Sequence, residues 1–121
     1  MPYARINMAE FKTRDEMIKT LAVLKNDIKS VFPEIGAFTA IETGETSILT
    51  ISVYDDEAAA ERALEQRDKH HEDKELSDIF SHEGIVECMY IDNEKLALWA
   101  ETKRKSELVV SYNCSCVERL Q

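Results

Sequence analysis

The chain has 121 residues, 15 Lys+Arg against 24 Asp+Glu, a formal charge of −9 and 44% hydrophobic residues. That is enough for one core, with no apolar run near the ~20 residues of a membrane helix and too much apolar content for a disordered acidic tail. The excess of acid argues against nucleic acid as a partner, because a phosphate backbone demands clustered Lys and Arg. No charged-then-apolar leader opens the sequence, so a cytoplasmic protein is expected.

Tyr3 to Phe11 alternates as a strand does, with Ala4, Ile6 and Met8 on one face and Tyr3, Arg5, Asn7, Ala9 and Phe11 on the other. Thr13 with Glu16 three residues on has the pattern of a capping box. Met17, Ile18, Leu21, Leu24, Ile28 and Val31 then form the apolar stripe of a helix that Pro33 stops. Ile35 to Thr43 and Thr46 to Tyr54 read as two strands of a hairpin turning at Gly44. Leu49, Ile51 and Val53 share one face of the second, and Ile48, Thr50, Ser52 and Tyr54 share the other.

Asp55 or Asp56 caps a second helix whose buried stripe is Ala59, Ala60, Ala63 and Leu64. Its pattern weakens through the polar Arg67 to Glu75 and resumes at Leu76, Ile79 and Phe80, as one long helix or two pieces. Gly84 precedes a fourth strand, Ile85 to Ile91. Asp92 or Asn93 caps a third helix carrying Leu96, Trp99 and Ala100, with Trp99 as its packing anchor. Leu108 to Val117 reads as a fifth strand.

The order predicts a ferredoxin-like βαββαβ sandwich of class α+β, with an antiparallel sheet over residues 1–91. Residues 92–121 form a helix and extra strand, packing on the same domain or on a partner. Such a sheet has helices on one face only. The other face is expected to carry Tyr3, Phe11, Ile48 and Tyr54 among Arg5, Asn7, Thr50 and Ser52. So apolar a face calls for a cover, and a second copy of the chain, forming a homodimer, is the expected partner.

Chemistry-bearing motifs are sparse. Cys88, Cys114 and Cys116 are an odd number without disulfide spacing, and with His70, His71 and His82 they show no metal-ligand pattern, so no metal is expected. No glycine-rich phosphate loop, H-E-x-x-H motif or G-x-S-x-G elbow occurs, and no cofactor is expected. His70 and His71 sit in a run of charge and point about 100° apart on a helix, as a solvated face would have them. His82 is a loop histidine or lies at a pocket rim. Arg5, on an interior face, must meet a carboxylate such as Glu42 or Glu87, or else bind an anionic ligand.

The topology, together with the strand-to-helix passage Ser52-Val53-Tyr54-Asp55-Asp56-Glu57-Ala58-Ala59, resembles the dimeric α+β barrel superfamily, in particular the antibiotic-biosynthesis monooxygenases. The resemblance implies two sheets meeting as a barrel and a pocket beside each sheet. There, in the cofactor-free members, an Asn and a Trp handle a phenolic or quinol-like substrate that itself activates oxygen. Asn7 takes the amide part and Tyr54 stands where the Trp would. Arg5, Ser52 and His82 are the substrate-binding candidates. The family's histidine early in the second helix is replaced here by Ala63. The function so implied is a cofactor-free, monooxygenase-like enzyme acting on an aromatic or quinol-like small molecule. The alternative is a non-catalytic dimeric module that binds a ligand or only assembles.

Overall fold

The computed structural model describes residues 1–71 and 76–101. The predicted fifth strand, Leu108 to Val117 with Cys114 and Cys116, lies outside the described residues. The elements run β1 (Tyr3–Phe11), α1 (Arg14–Val31), β2 (Ile35–Glu42), β3 (Ser47–Tyr54), α2 (Glu57–His71), β4 (Leu76–Ile85) and α3 (Asn93–Glu101). The four strands form one sheet in the order β2-β3-β1-β4, every neighbouring pair antiparallel. This is the ferredoxin-like α+β arrangement. The chain divides into two compact units, Met1–Glu87, which holds the whole sheet with α1 and α2, and a second starting at Cys88.

Local chemistry sets the helix boundaries. Thr13, with extended backbone, accepts a hydrogen bond on its hydroxyl from the Glu16 amide at 3.2 Å and opens α1. Phe32 closes that helix by donating its amide to the Ile28 carbonyl at 2.9 Å, and Pro33 follows. Of the two cap candidates for α2, Asp56 is the one used, its Oδ1 accepting from the Ala59 amide at 2.8 Å. In the second unit Asp92 caps α3 in the same way, through the Lys95 amide at 3.0 Å. None of the described helices is long and apolar enough to cross a membrane.

Two expectations are corrected. The fourth strand is Leu76–Ile85, not Ile85 to Ile91, and residues 86–91 carry no regular structure. Leu76, Ile79 and Phe80 have helical spacing, but the edge of β1 supplies a full row of partners from Tyr3↔Ile85 to Phe11↔Leu76. A ladder of that length outweighs a short, weak helical pattern. Gly84 therefore sits inside β4, and α2 ends before it.

The second correction concerns which face the helices cover. Phe11, Ile48 and Tyr54 are each 3% exposed and lie beneath α1 and α2, packed with Met17, Leu24 and the alanines of α2. Arg5, Thr50 and Ser52 share that covered side. The open face is the aliphatic one, where the ladders align Ala4, Ile6 and Met8 with Val53, Ile51 and Leu49, and these with Ala37, Thr39 and Ile41. Alternation separates two faces but does not say which one a helix lies on.

Candidate functional site

The covered face of the sheet carries a row of polar side chains. Arg5 and Asn7 of β1 stand opposite Ser52 and Thr50 of β3, and Arg5 also stands opposite Glu83 of β4. Tyr54 closes the row at the Tyr3 end. With Phe11, Ile48 and Phe38 from the sheet, Thr20 and Leu24 from α1 and Ala63 from α2, they enclose a cavity of about 40 Å³. By water-sized occupancy that is space for about three water molecules. The small side chains at Ala59, Ala60 and Ala63 let α2 lie close to the sheet and keep the cavity narrow.

Arg5 is the centre of the site. It is 2% exposed, and its Nε donates to Glu83 Oε2 at 2.9 Å while Nη1 donates to the Ala60 carbonyl at 2.8 Å. Tyr3 adds its phenol to the other oxygen of Glu83 at 3.1 Å. Desolvation, and donation to the Glu83 carboxylate, push the Tyr3 phenol above its ordinary pKa. The internal ion pair expected for Arg5 therefore forms, but with Glu83 rather than Glu42 or Glu87. Glu42 instead meets Arg14 at the surface, at 3.1 Å.

Two residues that line the cavity each bury a side-chain atom without a protein partner among the described residues, Arg5 Nη2 and Thr20 Oγ1. Leaving a buried donor unmet costs about 1–3 kcal/mol, and more when it carries charge. Arg5 is also the one charged residue lining the cavity among the described residues. Its partner Glu83 is 41% exposed, so the positive charge lies deeper than its counter-charge.

Of the sequence-predicted site residues, Arg5, Asn7, Ser52 and Tyr54 come together around this cavity. His82 does not join them. It pairs with Ile6 on the opposite side of the sheet, exposed, with its ring edge-on to Phe80 at a centroid separation of 4.6 Å. Sequence reasoning missed Thr20 and Glu83. Thr20 had a readable signal, a hydroxyl three residues after Met17 and four before Leu24 inside the apolar stripe of α1. Glu83 had none, because its role depends on the register of β4. Among the described residues no cluster of three or more His, Cys, Asp or Glu is placed to hold a metal ion.

No protein-family model matches the sequence, and no curated protein matches it either. Solved structures do match in shape. A dimeric ferredoxin-like protein from an uncultured marine organism aligns with a TM-score of 0.59 at 16% identity, over 76% of this chain and all of that one (100%). A protein of unknown function from Nitrosomonas europaea aligns at 0.62 and 14% identity, over 75% of this chain and 94% of the other. SnoaB, a cofactor-independent oxygenase from Streptomyces nogalater, aligns at 0.55 and 15% identity, over 75% and 98% respectively. Between proteins so far apart in sequence the shared property is the backbone plan. The chain has the ferredoxin-like α+β fold, which the dimeric ferredoxin-like protein and SnoaB share.

Proposed function

We propose that the cavity under α1 and α2 is a small-molecule site and that the protein is a cofactor-free, monooxygenase-like enzyme acting on an aromatic or quinol-like substrate. One observation carries the reading. Asn7, Ser52, Tyr54 and Arg5 converge on one small cavity walled mostly by apolar side chains, the combination of an apolar lining with a few convergent polar groups that ligand sites have. In this role the Asn7 amide donates to the substrate oxygen, Tyr54 orients the ring, and Arg5 and Ser52 bind. The substrate supplies the electrons that reduce dioxygen. The likeness to SnoaB, an oxygenase that needs no cofactor, supports the assignment.

The assay is oxygen uptake with a panel of quinols and phenols. The reading expects uptake, with at least a tenfold loss in Asn7→Ala and Tyr54→Phe. Uptake untouched by both substitutions removes these residues from the site. The cavity volume favours a second reading. At about 40 Å³ it is well below the roughly 300 Å³ of ordinary ligand pockets, so a ring must displace α1 or α2 to enter. A non-catalytic module that binds a smaller ligand needs no such movement, and it gives no uptake across the panel.

The protein is also proposed to work as a homodimer joined through the open sheet face. Ile6, Met8, Ile41 and Phe80 there are 38%, 47%, 44% and 53% exposed, an aliphatic patch of the kind that marks an interface. Light scattering at micromolar concentration is expected to show two subunits for the native chain and one for Ile6→Asp. A native monomer would end the proposal.

A further inference from the structure

We propose that the cavity is an anion site, in which Arg5 Nη2 donates to a negatively charged oxygen of the occupant and the Thr20 hydroxyl donates a second hydrogen bond to the occupant from the same wall. The proposal rests on reading this cavity as a ligand site but not on any oxygen chemistry there. Nε and Nη1 of Arg5 are committed to Glu83 and to the Ala60 carbonyl, so the guanidinium is held at two points and has one nitrogen to spare. Thr20 is 1% exposed and lines the same cavity from α1, its hydroxyl equally without a partner among the described residues. Two unmet polar groups on different elements, lining one cavity, define a site with a built preference.

Charge decides the sign of the occupant. No Asp or Glu lines the cavity among the described residues, and Arg5 is its one ionised group. Glu83, the nearest counter-charge, is 41% exposed and shares its second oxygen with Tyr3, so solvent and the phenol take part of its field. An anionic oxygen in the cavity would sit against a nearly dry guanidinium, where electrostatic attraction is stronger than at the surface. Because only one guanidinium nitrogen is available, the site suits a single oxygen rather than the paired grip of a fully exposed Arg. A carboxylate, or the ionised hydroxyl of an enol or phenol, provides that oxygen. About 40 Å³ accommodates a carboxylate head group of a few heavy atoms as the cavity stands.

The test uses the full chain with two probes, sodium acetate and 4-nitrophenol, each against sodium chloride at matched ionic strength. Binding is read from backbone and side-chain NMR shifts and, for nitrophenol, from the absorption of its ionised form. Saturable shifts at Thr20 and Ala60 with acetate identify a free carboxylate as the occupant. Preferential binding of nitrophenolate over neutral nitrophenol identifies an ionised ring hydroxyl. Either result supports the site, provided Arg5→Met weakens it at least tenfold and Thr20→Val about threefold or more. Thr20→Val removes only a hydroxyl without a partner, so it keeps the test open should Arg5→Met fail to fold. The inference is overturned if acetate does not bind and nitrophenolate binds no more tightly than neutral nitrophenol, or if a folded Arg5→Met or Thr20→Val binds like the native chain. Anion binding without oxygen uptake would end the oxygenase reading and leave this one intact. Oxygen uptake unaffected by Arg5→Met would do the reverse.

Discussion

Removing Glu83 and removing Arg5 break the same ion pair, yet the structure requires unequal costs. In Glu83→Ala the guanidinium remains in place, 2% exposed, with the Ala60 carbonyl as its one remaining partner among those described. Orphaning a fully buried charge costs about 3–5 kcal/mol. Here the missing partner was itself 41% exposed, so its loss admits water to Nε and halves the penalty, to about 2 kcal/mol. For a unit of this size that lowers the melting temperature by about 10 °C. Arg5→Met removes the buried charge itself. Glu83 then hydrates and keeps the Tyr3 phenol, Met fills the volume of the arginine stem, and the Ala60 carbonyl retains its place in the helix ladder. The expected cost lies between zero and about 1 kcal/mol. The double variant Arg5→Met with Glu83→Gln should resemble Arg5→Met alone. Urea denaturation followed by circular dichroism measures all three. If Arg5→Met proves costlier than Glu83→Ala by a kilocalorie or more, the guanidinium is a net stabiliser, and the picture of a buried charge held at a cost for a ligand is refuted.

Asp56→Ala should cost about 1 kcal/mol, because it deletes the side-chain cap on the Ala59 amide at the start of α2, and thermal denaturation will show it. The Arg62–Glu34 fork, 2.6 and 2.7 Å, joins α2 to the turn before β2, and hydrogen bonding to Arg62 holds the Glu34 carboxyl below its ordinary pKa. A carboxylate depressed in the folded state adds stability that is fully present above its unfolded pKa and lost as pH falls through the folded one. The stability gap between native and Arg62→Gln chains should therefore be constant from pH 6 upward and close on acidification below about 4.5. A gap that persists at pH 2 would show that Arg62 acts through packing, not charge.

The elements most legible in the sequence were those whose signals are local. The Thr13 cap, the stripe from Met17 to Val31 and the β-branched run to Tyr54 each carry their structure within a dozen residues, and the fold class follows from their order. β4 was misplaced because its strand character is not its own. Leu-Ser-Asp-Ile-Phe has neither alternation nor β-branched density, and the sheet recruits it through the unsatisfied edge of β1. The candidate site was legible for the same local reason and illegible for the same non-local one. Period-2 reasoning along two strands put Arg5, Asn7, Ser52 and Tyr54 on one face, and the family resemblance singled out Asn7 and Tyr54 among them. Glu83 comes from the misplaced strand, and the closing wall of the cavity comes from Thr20, which looked like one polar residue on a helix.

The exchange of faces changes what the same residues mean. Had the aliphatic face lain under the helices, Arg5, Asn7, Thr50 and Ser52 would have been the polar fraction of a subunit interface, satisfied by a second copy. Placed under α1 and α2, Arg5, Thr50 and Ser52 are buried and Asn7 half-buried within one subunit, away from a partner across the opposite face. A core needs no such row. The aliphatic face in turn is covered by neither α1 nor α2 and is the face proposed for association. On these proposals, assembly and binding fall on opposite sides of one four-stranded sheet. A charge placed on the open face, as in Ile6→Asp, should separate the subunits while leaving acetate binding at Arg5 within about threefold of native. Loss of both together would mean that the cavity depends on the dimer.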